Sequence, residues 1–343
     1  MAYSNVGIPV FYVDNYLYHK TIGTSITEGF PSDVYTLNPA VATEMPAPYD
    51  ITLPISPVNY SFSGNMKYYI ALLNHNIGSS SVPNLSILNN DPNGEDLTND
   101  FTEVLNGNIS GNVFTPLDGS TILKTSVAHD TQVLHIGSID HFIGAISTGI
   151  QYTMPHSPDL SLSMEIEMDG VNTITASGGG SISNVKYTGN PLWVNGNNKT
   201  NPFDVYNEGL DVTQMGARRN GRKSWRLKFS YVSDTDLFSS NPKASSFTEH
   251  PNDSTYETSD LDGLNNAGNP TSNSYLGFNI ETDDSFYAQV WNKTLGGALP
   301  FIFQPDSTYN DDFYICRFDQ KSLKVSQVAY KVYDISLRIV ESW

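Results

Sequence analysis

Three histidines stand six residues apart, at His129, His135 and His141, and a fourth, His75, lies in "LLNHNIG". Imidazoles repeated along one strand face could hold a metal ion or pass a proton. Here Gly137 and Asp140 interrupt the run, and neither His-x-His nor His-Glu-x-x-His accompanies it. The four read as surface or hydrogen-bonded histidines. "DPNGEDLTND" (Asp91 to Asp100) and "SDLDGLNN" (Ser259 to Asn266) mix Asp, Asn and Gly as calcium loops do. Neither puts Gly sixth and Glu twelfth, so both read as turns. Cys316, the chain's one cysteine, sits in the apolar-flanked "FYICRFD". That setting predicts a buried, unreactive thiol, and a single cysteine excludes an internal disulfide framework. "SGGGS" (Ser177 to Ser181) lies between two β-like segments with no helix after it, so it reads as a loop or bulge, not a phosphate cradle. No P-loop, dinucleotide fingerprint or Gly-x-Ser-x-Gly elbow occurs. No catalytic residue, metal ligand or cofactor is therefore expected.

One charged cluster stands out. Arg218, Arg219, Arg222, Lys223, Arg226 and Lys228 are six of the eighteen Lys and Arg residues of a chain whose formal charge is −18. Such a knot could contact phosphates, dock an acidic protein surface, or be a solvated turn whose cations offset local carboxylates. Nucleic acid fits poorly: that binding needs a broad basic face, and bases need interleaved aromatics to stack on. Trp225, the nearest aromatic, belongs to an alternating apolar row. Arg218, Arg219, Arg222 and Lys223 are expected to flank a turn at Asn220-Gly221 at one rim of a sheet, either as a solvated turn or as a docking patch for an acidic protein surface.

The elements that would carry these residues are strands. Charged residues are only 16% of the chain, and Ser, Thr, Asn, Gly and Pro fill the difference together with 20 Tyr and 16 Phe. Aromatics suit strands and the small residues suit turns, so the class is all-β. In "DLSLSMEIEMDG", Leu160, Leu162, Met164, Ile166 and Met168 alternate with polar residues, which predicts a strand with one face in a core. "SWRLKFSYVS" puts Trp225, Leu227, Phe229 and Tyr231 on one face. Tyr333, Ile335, Leu337 and Ile339 do the same near the end. Shorter strands are expected at "PVFYV" and "NYLYH" (a hairpin across Asp14-Asn15), "KYYIALL", "NLSIL", "TQVLHI" and "FYICRFD". One short helix is expected near 284–294, capped by Asp283 or Asp284 and stopped by Gly296-Gly297. The polar, aperiodic stretch at about 240–274 reads as a loop insertion. The division expected is two antiparallel β-sandwich or jelly-roll-like domains, 1–147 and 148–343. Neither a signal peptide nor an apolar run long enough to span a membrane is seen.

Three longer stretches carry a resemblance: "MPHSPDLSLSMEIEMDGVNTITASGGGSISN", "GARRNGRKSWRLKFSYVSDTDLF" and "LGGALPFIFQPDSTYNDDFYICRFDQKSLKVSQVAYKVYDISLRIVESW". In that order they resemble tailed-bacteriophage virion proteins of the tail or baseplate, over most of 148–343. "YYIALLNHNIGSSS" is similar to a strand-loop of galactose-binding-like jelly rolls, with His75 and Asn76 as a structural corner and Asn74 where a Gly is usual. The resemblance implies a non-enzymatic virion component, made in the host cytoplasm, that forms a homo-oligomer and contacts other tail proteins, with Arg218, Arg219, Arg222 and Lys223 docking an acidic face of a neighbouring subunit. A carbohydrate-binding or host-adhesion module, with a host-surface glycan as partner, is the alternative.

Overall fold

The computed structural model describes residues 6–23, 32–37, 43–45, 49–53, 66–75, 85–89, 102–105, 107–110, 113–116, 119–125, 132–136, 141–167, 171–175, 177–185, 222–238, 283–309 and 312–342. The architecture is all-β and antiparallel. The main sheet has eleven strands: β1 (Val10–Asp14), β4 (Met66–His75), β6 (Thr102–Leu105), β9 (Gly119–Thr125), β12 (Ala145–Thr153), β13 (Ser163–Glu167), β16 (Arg222–Ser233), β17 (Phe301–Gln304), β18 (Tyr314–Phe318), β19 (Lys324–Ala329) and β20 (Val332–Glu341). Their order is β13-β16-β20-β18-β17-β1-β12-β4-β9-β6, and β19 pairs with the first half of β20. A five-stranded sheet runs β3 (Tyr49–Leu53), β10 (Gln132–Ile136), β5 (Leu85–Asn89), β8 (Val113–Pro116), β7 (Gly107–Ser110). Two ribbons complete the sheets among the described residues: β2 (Thr43–Met45) with β11 (His141–Ile143), and β14 (Val171–Thr175) with β15 (Ser181–Val185).

β1 joins the two halves of the sequence. It pairs β12 on one side and β17 on the other, from Val10↔Thr153 and from Val10↔Gln304. Both of its faces are buried. Phe11 and Val13 enter one core with Tyr152, Trp225, Phe303, Phe318 and Ile339. Val10 and Tyr12 enter a second with Tyr69, Leu73, Ile122, Ile302 and Ile315. The expected boundary after 147 falls inside β12, whose residues on both sides of that point pair with β4. One sheet thus runs through both expected domains. The one-solvated-face pattern holds on β16 and β20, and the central strands are covered on both sides.

Aromatic packing curls the sheet. Trp225 of β16 and Phe303 of β17 are separated by two strands, roughly 14 Å on a flat sheet, yet their ring centroids lie 5.3 Å apart. Phe11 sits at the middle of this core, 5.3 to 6.0 Å from Phe286, Phe301, Phe303 and Phe318.

The segment after β1 is a correction. "NYLYH" forms no hairpin; Asn15–Ile22 is an α-helix, α1. Asp14 caps it, accepting the Leu17 N–H at 2.9 Å, and Gly23 closes it at φ 84. A good cap at each end outweighed the strand preference of the tyrosines. The helix expected near 284–294 is present as a wide π-type turn over Tyr287–Asn292. Asp283 accepts the Ser285 N–H, Ser285 accepts the Ala288 N–H, and Gly296 and Gly297 end the segment at φ 64 and 94. A short helix, α2 (Asp234–Leu237), follows β16, and a 3-10 turn covers Ser32–Thr36.

Candidate functional site

The basic knot leads onto the outer face of β13, β16 and β20. Arg218, Arg219, the Asn220-Gly221 turn and the 240–274 insertion lie outside the described residues. Arg222 and Lys223 open β16, half-buried, opposite Glu167 and Ile166 of edge strand β13. Lys223 turns inward. Its ammonium lies 4.4 Å over the Tyr314 ring and donates to the Tyr314 hydroxyl, while its N–H donates to Glu341 Oε2 at 2.9 Å. Tyr314 in turn donates to Asp312 Oδ1 at 2.5 Å. Burial, and then the Asp312 carboxylate, push the Tyr314 hydroxyl far above its ordinary range. Neighbouring Cys316 is fully buried, and burial followed by Glu341 pushes its thiol well up. The thiolate a nucleophile needs is disfavoured there.

Further along β16 the cations meet carboxylates. Arg226 pairs Glu165 at 3.2 Å, and Arg338, its cross-strand neighbour on β20, pairs Asp319 at 3.0 Å. Two like charges side by side are each drawn toward an acid on the opposite flank. Lys228 reaches Asp334 at 3.1 Å and Asp159 at 3.6 Å. The Asp334 hydrogen bond and charge hold the ammonium above its usual range. Burial pushes the Asp334 carboxyl up, but hydrogen bonds from Lys228 and the Tyr231 N–H outweigh it and leave the group low. Exposed, solvent-screened pairs like these contribute little to stability. They set the sign pattern of the face, which alternates.

The same place corrects the sequence reading of Tyr231. The register steps from Phe229↔Ile335 to Val232↔Tyr333, so Ser230 and Tyr231 together face Asp334. This β-bulge rotates Tyr231 out to 76% exposure and gives its buried position to Val232. Tyr231 sits at φ 62, a region that bulky residues avoid. Asp334 Oδ1 accepts its N–H at 3.2 Å, and Ser230 Oγ donates to Asp159 Oδ2 at 2.6 Å.

One set of buried polar groups centres on Asp14. Its Oδ2 accepts from Ser147 Oγ at 2.6 Å, which bonds the Tyr69 hydroxyl at 2.7 Å. Burial pushes this carboxyl from 3.8 up to about 6, against the lowering bonds from Ser147, Leu17 and Tyr16. A carboxyl near neutrality suits acid–base work, but Asp14, Ser147 and Tyr69 are all buried. The group is structural: a helix cap inside a sheet. The sequence hides it, because its partners lie on β4 and β12.

His135 falls on β10 and His141 on β11, in different sheets; His129 lies outside the described residues. His75 is buried, its Nε2 bonded to Thr121 Oγ1 at 3.0 Å, next to a register shift where Asn74 adopts φ 52. Asn74 thus takes the left-handed position that Gly adopts most easily, and Asn76, the other half of the expected corner, lies outside the described residues. Asp91–Asp100 and 259–266 lie outside the described residues, and no group of three or more His, Cys, Asp or Glu placed to hold a metal occurs among those described. Nor, among the described residues, is any helix long and apolar enough to cross a membrane. Comparison with protein families, with curated proteins and with solved structures returns no match for this chain.

Proposed function

We propose that the chain is a non-enzymatic structural subunit of a phage virion, at the tail tip or baseplate, that assembles with copies of itself and with neighbouring tail proteins. The observation that carries self-assembly is the edge strand β13. The apolar residues on it and just before it run off the core: Leu162 and Met164 are half-covered, Ile166 is 54% exposed, and Leu160, in the turn ahead of the strand, is fully exposed. Ile174 on the adjoining β14–β15 ribbon is exposed as well. Among the described residues nothing pairs with the outer edge of β13. An edge strand with an uncovered apolar row is a template for another chain. A second copy would cover the row, and the alternating charges of the outer face would fix its register. Arg218, Arg219 and Arg222 would add an ionic contact to an acidic face of that copy; Lys223, bonded inward, would support the strand.

Sedimentation velocity of the wild-type chain and of a Leu160→Lys/Ile166→Lys variant, between roughly 50 and 500 mM salt, tests this. A defined wild-type oligomer that the double variant breaks is expected. Charge reversal at Arg218, Arg219 and Arg222 should remove the part of the association that salt weakens. A wild-type monomer across the range, or an oligomer indifferent to both variants, overturns the reading.

A further inference from the structure

The Tyr231 bulge has features that sheet geometry alone does not require. A bulge needing a left-handed residue is served by Gly or Asn without strain. Here the position carries a large ring that points to solvent and a backbone at φ 62, held by Asp334. Around it stand two carboxylates, an ammonium and a hydroxyl: Asp159, Asp334, Lys228 and Ser230. The charged side chains stay accessible, at 46% for Lys228, 30% for Asp159 and 18% for Asp334. Asp159 pairs with Lys228 and accepts from Ser230, and Asp334 accepts from Lys228, Ser230 and the Tyr231 N–H, so two carboxylates with about four lone-pair sites each still have acceptor capacity for a ligand.

We propose that Tyr231, with Asp159, Asp334 and Lys228, forms a binding subsite for a neutral pyranose unit of a glycan. The phenol ring is a platform for the apolar C–H face of one sugar ring. Asp159 and Asp334 accept from neighbouring sugar hydroxyls, and Lys228 donates to a third. Hydroxyls both give and accept hydrogen bonds, so a neutral sugar satisfies this mixed set without bringing a charge of its own. An anionic ligand would face two carboxylates beside one ammonium. A protein partner would have to desolvate three charges at the centre of its contact, where interfaces are depleted in Lys and Asp. The subsite stands independently of assembly through β13.

Saturation-transfer NMR with the methyl pyranosides of glucose, galactose and mannose, on the whole chain, tests the proposal. Transfer to at least one glycoside is expected. Tyr231→Gly should weaken that binding by roughly tenfold or more, while the melting temperature holds or rises, because Gly takes φ 62 without strain. Tyr231→Trp should retain binding. The proposal is overturned if none of the three glycosides receives transfer, or if Tyr231→Gly binds as the wild type does. It is equally overturned if Tyr231→Gly leaves glycan binding intact and abolishes self-association, which would make the bulge a protein contact.

Discussion

Asp14→Asn should stabilise the protein at neutral pH and leave it unchanged in acid. Burial raises the Asp14 carboxyl from 3.8 in the unfolded chain to about 6 in the fold. A raised acid binds its proton more tightly in the folded state, so its contribution is fully present below about pH 3.8 and lost as pH climbs through about 6. A carboxyl raised from 3.8 to about 6 binds its proton in the fold about 3 kcal/mol more tightly. The wild type therefore carries that penalty from about pH 6 upward. Asparagine cannot titrate. Its Oδ1 can still accept the Leu17 N–H, and its amide can donate to Ser147 as a protonated carboxyl would. Urea unfolding of both proteins, followed by tryptophan fluorescence from about pH 4 to about pH 7, isolates this group, because all other titrations cancel in the difference. The variant's advantage should grow from near zero to about 3 kcal/mol over that window. A difference that is flat with pH, or that turns against the variant as pH rises, would refute the burial argument.

Two further outcomes are expected. Gly149→Ala should cost on the order of 3 kcal/mol, read as a fall in the urea midpoint, because a Cβ there would lie 2.0 Å from the Val13 carbonyl oxygen, where β1 turns into α1. Cys316 should resist aromatic disulfide reagents at mildly alkaline pH in the folded protein and react at once in urea, since burial and Glu341 hold the thiol far above its ordinary range; fast reaction without urea would show the core to be open.

Period-two patterns were legible wherever a strand keeps its phase. Trp225, Leu227 and Phe229 are buried together, as are Ile335, Leu337 and Ile339. Tyr231 escaped because one extra residue in β16 inverts the faces, and nothing in "KFSYVSD" announces it. β13 was legible as a strand but not as an edge: alternation says which residues share a face and is silent on whether a neighbour covers it. α1 was hidden behind tyrosines that favour strands, although Asp14 and Gly23 stood at its two ends. The basic knot shows the same limit. Counting cations in a window finds six, yet Arg226 and Lys228 meet Glu165, Asp159 and Asp334, carboxylates far away in sequence that only strand pairing brings near.

The place of β1 matters during synthesis. Tyr12 bonds Gln304 across 292 positions, and both neighbours of its strand are made long after it. At ordinary elongation rates β17 follows β1 by roughly 15 to 60 s. Until then an aromatic strand, destined for the centre of the sheet, has one flank open. High contact order of this kind slows folding and leaves sticky intermediates. Shortening the chain past Val10 would remove the middle of the fold, not its margin.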